Sequence, residues 1–106
     1  MIEQIAPQDA QKRLQDDGRA VLLDVRTREE FAEVHAKGAK NIPLDEISAA
    51  RLKEEQIGPD QSILMICRSG ARSQRACEQL VNEGYQKLAN VSGGTLAWVD
   101  AQLPHE

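Results

Sequence analysis

Apolar residues along the chain fall into short runs, separated by stretches with helical spacing. Residues 2–5 predict a short first strand. "AVLLDV" (20–25) and "SILMIC" (62–67) are nearly continuous apolar runs, the pattern of strands covered on both faces. "KNIPL" (40–44), ended by Pro43, and "KLANV" (87–91) complete the strands.

The intervening segments predict helices. Pro7 suits a first helical turn, Ala10 and Leu14 share a face, and Gly18 is a stop, although Ala6 is a poor N-cap. Thr27 and Glu30 form a T-x-x-E capping box that opens a short helix through Phe31 and Val34. "DEISAARLKEEQ" (45–56) predicts a surface helix and "GPDQ" (58–61) a turn. From Ser73 to Glu83, residues Ala76, Cys77, Leu80 and Val81 share one helical face, and Gly84 fits the C′ position. Gly93–Gly94 turn the chain into a final helix carrying Leu96, Trp98 and Val99. Strands alternating with helices predict an α/β fold with a mostly parallel sheet. With no repeat and no long linker, residues 1–106 read as a single domain.

Composition narrows the class. With 41% hydrophobic and 28% charged residues, the chain reads as globular, and 106 residues suffice for one modest core without disulfides. The net charge of −4 argues against a nucleic-acid partner. No apolar run approaches the roughly 20 residues that span a bilayer. The stretch "MIEQIAPQDAQ" lacks the basic and apolar segments of a signal peptide, so the expectation is a cytoplasmic protein with no membrane partner. Cys67 and Cys77, ten positions apart, match neither CxxC nor a zinc spacing and are expected as thiols.

The chemistry concentrates in "ICRSGARSQ" (66–74). Cys67 lies where a buried strand ends and a helix begins, and ligand sites of open α/β sheets gather at the carboxyl ends of strands. Gly70 permits backbone angles that other residues resist. Successive N–H groups of such a loop can converge on an anion, and the helix after it adds the positive end of its dipole. Arg68 and Arg72 bring permanent charge. All of these favour a negative species at the loop centre, so Cys67 reads as an activated nucleophile. Cys77, mid-helix on an apolar stripe, reads as core, with a resolving thiol as the alternative. The loop has a C-x4-R spacing, one residue shorter than the C-x5-R of cysteine phosphatases, which points away from phosphoryl transfer and toward a compact group on sulfur.

Three stretches carry a resemblance. They are "LLDVRTREEFAEVHAKGAKNIP" (22–43), "CRSGARS" (67–73) and "VSGGTLAW" (91–98). In order and spacing they are similar to the motifs of single-domain rhodaneses, a sulfurtransferase family. Glu33–Val34 before His35 is a departure, because many relatives carry a glycine there. The resemblance implies a five-stranded, mostly parallel sheet flanked by helices. It also implies a two-step reaction in which Cys67 takes a sulfur from a small anionic donor such as thiosulfate. The persulfide, held by N–H groups of residues 68–72, then yields it to a thiol or cyanide acceptor. No cofactor and no metal is required.

The remaining site candidates follow from chemistry and resemblance together. Arg68 and Arg72 are candidates for donor binding, and Arg72 can instead brace the loop against a carboxylate. Ser69 and Ser73 are placed to hydrogen-bond sulfur or sulfonate oxygens, Ser73 being equally placed to cap the helix; Gly70 and Ala71 complete the loop. Asp24 and Arg26, at the end of a strand, read as supporting residues, either orienting an arginine near the loop or forming a structural ion pair. By resemblance His35 belongs to a structural turn, and Trp98 reads as core. Alternatives to a thiosulfate sulfurtransferase are a persulfide carrier that exchanges sulfur with partner proteins, and a phosphatase or arsenate reductase on a similar loop. A regulatory domain without activity is disfavoured by the presence of Cys67.

Overall fold

The computed structural model describes residues 2–106. Five strands, β1 (Glu3–Ile5), β2 (Val21–Asp24), β3 (Lys40–Asn41), β4 (Ile63–Ile66) and β5 (Leu88–Val91), form one sheet of order β1-β5-β4-β2-β3. Every neighbouring pair is parallel. The helices are α1 (Pro7–Asp16), α2 (Arg28–Glu33), α3 (Ala49–Glu54), α4 (Ala71–Asn82) and α5 (Gly94–Asp100).

Side-chain alternation along β4 explains why its run is apolar throughout. Ile63 and Met65 point into one core cluster with Leu52, Ala76, Cys77 and Leu80, from α3 and α4. Leu64 and Ile66 point the other way, among Ala10 of α1 and Trp98 of α5. All four β4 residues are buried, so substituting Leu64 by Ala is expected to cost about 2–5 kcal/mol. The same parity places Cys67, two residues beyond Met65, on the α3/α4 face.

The elements differ from the sequence expectation at three places. The predicted helix 45–56 is broken: a 3₁₀ turn spans Leu44–Glu46, and α3 starts only at Ala49. Ile47 between them is buried in the core, and the Ser48 side chain caps α3 by accepting from the Arg51 N–H at 3.0 Å. The predicted strand 40–44 shortens to Lys40–Asn41, because the chain turns at Pro43 into that 3₁₀ turn. Helix α4 begins at Ala71, two residues before the predicted Ser73, with Gly70 as its N-cap. Elsewhere the local signals hold. The Thr27–Glu30 capping box forms, and Ala6 gives α1 no side-chain cap.

The chain leaves β2 toward β3 on one side and leaves β4 toward β5 on the other. This reversal opens a crevice beyond the carboxyl ends of β2 and β4, the place where ligands bind in open α/β sheets. Asp24 ends β2 there, and Cys67 follows β4.

Candidate active site

Four residues, 67–70, connect β4 to α4. The turn closes because Gly70 adopts φ +117°, in the left-handed region that disfavours side chains. This folds the loop back on its own cysteine. The Gly70 N–H donates to Cys67 Sγ at 3.0 Å, and the Ser73 hydroxyl lies 3.2 Å from the same sulfur. Cys67 is only 1% exposed. The sequence reading that this side chain faces the loop and not the core is corrected here: two residues beyond Met65 on the same face of the sheet, it is also part of the core wall beside α4. Burial pushes the thiol up, but the Ser73 hydroxyl and the backbone N–H groups of Ser73, Gly70 and Ser69 outweigh it. The net result is a thiol more acidic than an ordinary cysteine.

The donors around Sγ of the unmodified cysteine are Ser69, Gly70 and Ser73. The N–H groups of Ala71 and Arg72, at the first two positions of α4, make no hydrogen bond within the described residues. Ser73 does not cap α4; its hydroxyl turns inward to Sγ, to the Gly70 carbonyl and to Asn90 Oδ1.

The loop carbonyls are drawn the opposite way. Thr95 donates to the Cys67 carbonyl through its N–H at 2.8 Å and its hydroxyl at 3.0 Å, and the Leu96 N–H donates to the Arg68 carbonyl at 3.2 Å. With these carbonyls fixed on α5, the N–H groups are left to face the sulfur. The approach requires a glycine: a Cβ at Gly94 would lie 2.5 Å from both carbonyl oxygens. This is the physical content of "VSGGTLAW", whose second glycine lets α5 press on the loop.

The charged candidates separate into three arrangements. Arg72 braces the loop, its guanidinium bound bidentately to Glu30 at 2.7 and 2.9 Å. The Arg72 guanidinium, aided by the Thr27 N–H and hydroxyl, holds the Glu30 carboxyl down at about 2 against the effect of burial. Asp24 and Arg26 form a buried ion pair at 2.8 Å, and Arg26 also donates to the Val34 carbonyl at 2.7 Å. Removing one partner of such a pair costs about 3–5 kcal/mol, a structural role. Arg68 is exposed and forms no ion pair among the described residues. It borders a cleft of about 360 Å³ walled by Val34, Thr95, Leu96 and Val99 and rimmed by the carboxylates of Glu30, Glu33 and Asp100. Ser69 and Ala71 are exposed beside it on the loop.

Other residues stay out of the site. Cys77 is fully buried, and burial pushes its thiol up to about 12. His35 stacks on Phe31 at 3.7 Å, and its Nδ1 lies 2.7 Å from the Phe31 carbonyl, which ties α2 to the turn after it. Trp98 is buried and donates to the Pro104 carbonyl at 2.8 Å. Three residues at the loop were not singled out from sequence: Glu30 beyond its cap, Thr95 and Asn90. For Glu30 and Thr95 the only sequence signal is membership of the matching motifs. Among the described residues, no group of three His, Cys, Asp or Glu side chains could hold a metal ion, and no helix is long and apolar enough to cross a membrane.

Comparison with known proteins places the chain in a family and supports its fold. The family profile described as Rhodanese-like domain matches residues 6–101. A sulfurtransferase of Allochromatium vinosum is 34% identical over 104 residues, covering 98% of this chain and 94% of that protein. Thiosulfate sulfurtransferase 18 of Arabidopsis thaliana is 43% identical over 93 residues, covering 77% of this chain and 68% of its own length. In three dimensions, the solution structure of a rhodanese-like domain from Anabaena sp. superposes with a TM-score of 0.87 at 22% identity, over 100% of this chain and 80% of that one. A parallel five-stranded sheet with a donor-ringed cysteine after β4, matched along most of its length to sulfurtransferases, makes this chain a member of the rhodanese-like domain family, whose chemistry is sulfur transfer.

Proposed function

We propose that the protein is a thiosulfate-type sulfurtransferase acting through a persulfide on Cys67. The observation that carries this reading is the Cys67 Sγ held by the Gly70 N–H at 3.0 Å and the Ser73 hydroxyl at 3.2 Å, with two further loop amides unpaired. The first donors favour the thiolate. The free N–H groups of Ala71 and Arg72 are then available to a second sulfur, one bond further out.

In the first step the Cys67 thiolate attacks the outer sulfur of thiosulfate. A new S–S bond forms, the old one breaks, and sulfite leaves with its electron pair. In the second step an acceptor nucleophile, a thiol or cyanide, attacks the terminal sulfur and Cys67 departs as thiolate. Arg68, exposed and unpaired at the loop edge, attracts the anionic donor. Arg72, engaged by Glu30, holds the loop. Because Sγ is nearly enclosed, the reacting end of a donor must be narrow, which suits a terminal sulfur better than a bulky ester. Steady-state sulfur transfer from thiosulfate to cyanide tests the reading: Cys67→Ala is expected to abolish it while the far-ultraviolet circular dichroism stays native. Retained transfer contradicts it.

One observation favours a second reading, exchange of sulfur with partner proteins. Leu96, 51% exposed, is the one large hydrophobic residue left in solvent among the described residues, and its N–H is bonded to the loop at Arg68. A protein-to-protein carrier would load stoichiometrically from a partner persulfide, lose that loading with Leu96→Asp, and turn over thiosulfate poorly.

A further inference from the structure

Asn90 is a polar residue in a strand whose every other position is apolar, and it is 4% exposed. The register that pairs it with Met65 places it on the α4 side of the sheet, below the active loop. Its Nδ2 group faces three oxygens: Gln4 Oε1 at 3.0 Å, the Gly70 carbonyl at 3.1 Å and Gln74 Oε1 at 3.3 Å. This fixes the amide orientation, because a flipped amide would set oxygen against the Gly70 carbonyl. Asn90 Oδ1 therefore faces Ser73, at 2.5 Å from its hydroxyl oxygen.

The Ser73 hydroxyl has one proton and three acceptors within reach. Asn90 Oδ1 lies at 2.5 Å, Cys67 Sγ at 3.2 Å and the Gly70 carbonyl at 3.3 Å. While Cys67 is a neutral thiol, all demands are met in one chain. The S–H donates to Ser73 Oγ, and the Ser73 O–H donates to Asn90 Oδ1. When Cys67 loses its proton to solvent, the thiolate becomes the stronger acceptor and draws the Ser73 proton to itself. Asn90 Oδ1, buried, is then left without a donor, which is costly.

We propose that Asn90 is a positioning residue that competes with the Cys67 sulfur for the single Ser73 proton and so holds the resting cysteine closer to its neutral form. Once a second sulfur is bonded to Sγ, the charge sits on the outer atom, the Ser73 proton returns to Asn90, and no acceptor is orphaned. Asn90 thereby favours the loaded state over the empty thiolate. This last consequence rests on the persulfide reading above, whereas the effect on Cys67 ionisation does not. The charged groups around the loop are the Arg72–Glu30 pair, from α4 and α2, the Asp24–Arg26 pair at the end of β2, Arg68 on the loop itself, and Glu33 and Asp100 across the cleft that Arg68 borders. All four hydrogen-bond partners of Asn90 are neutral, so its substitution leaves those charges in place. The Gly70 carbonyl retains the Gln74 N–H of α4, which keeps the loop anchored.

The test is the pH titration of thiolate absorbance in wild type, Asn90→Leu, Asn90→Val, Ser73→Ala and the Ser73→Ala/Asn90→Leu double variant. Cys77 stays silent, since burial holds its thiol at about 12. Removing Asn90 is expected to lower the Cys67 midpoint by about one pH unit. No such fall is expected where Ser73 is already absent. The valine variant carries the test if the leucine variant does not fold. An unchanged or raised midpoint without Asn90, or the same fall in the absence of Ser73, overturns the proposal. Because ionisation is read directly, the result stands whether or not thiosulfate proves to be the donor.

Discussion

Arg72 and Glu30 clasp each other across the active loop, two parallel N–H to oxygen bonds of 2.7 and 2.9 Å joining α4 to α2. Glu30 is at once the capping-box acceptor of α2 and the counter-ion of the loop arginine. One carboxylate thus fixes the start of a helix and one flank of the cradle.

That pair makes stability depend on acid in a defined window. Glu30 has its carboxyl at about 2 in the folded chain, against an ordinary value of 4.5. Its contribution is therefore complete above pH 4.5 and is lost as pH falls toward 2. Both side chains are partly exposed, so solvent screening limits the pair to about 1 kcal/mol. Urea midpoints should separate wild type from Glu30→Gln at pH 7 and converge near pH 2. A gap that persists in acid would place the effect elsewhere.

The two loop arginines are expected to behave differently. Arg68→Ala, at the open cleft, should raise KM for thiosulfate several-fold with kcat little changed, a loss of binding made equally in ground and transition states. Arg72→Ala should lower Tm instead, since it removes the partner of Glu30. The reverse pattern in steady-state kinetics and melting curves would exchange their roles.

Gly94→Ala should damage the site more than its size suggests. The added Cβ would sit 2.5 Å from the Cys67 and Arg68 carbonyls, so the loop or α5 must move. The expected outcome is a loss of stability of about 1–3 kcal/mol together with a fall in kcat. Gly18→Ala, with open space around its Cβ, is the control and should leave both unchanged.

The two cysteines should be separable by alkylation. Cys67 carries the lowered thiol; Cys77, held at about 12 by burial, stays protonated. Iodoacetamide at pH 8 should label Cys67 before Cys77, though slowly because Sγ is nearly enclosed, as peptide mapping would report, and Cys77→Ala should retain most activity. Equal or faster labelling of Cys77 in the folded protein would contradict the difference in thiol acidity.

Much of this arrangement is legible in the sequence, and the exceptions have physical causes. The runs at 20–25 and 62–67 announce themselves because both faces of β2 and β4 are covered, which leaves no polar alternation to confuse the reading. The loop cysteine is legible because a glycine and two arginines beside a thiol at a strand–helix junction suit an anion cradle, although the burial of Cys67 itself is visible only in the structure. The break at Ile47 and Ser48 was hidden, since the 45–56 pattern also fits one continuous helix; only tertiary packing buries Ile47 and frees Ser48 to cap. The bracing role of Arg72 was one of two readings, and the choice depends on Glu30, 42 positions away, arriving at its side. Asn90 gave no signal at all. A polar residue in "KLANV" acquires meaning only when the parallel register sets it beneath Ser73.

The β4–α4 loop is proposed to keep Cys67 reactive and to shelter one more sulfur on it. Intact-protein mass spectrometry after exposure to thiosulfate, and again after cyanide, tests this most directly. The expected outcome is a gain of one sulfur atom, mapped to Cys67, that cyanide removes and that Cys67→Ala never acquires. An unchanged mass in the presence of saturating thiosulfate, or a sulfur carried on Cys77, would contradict it.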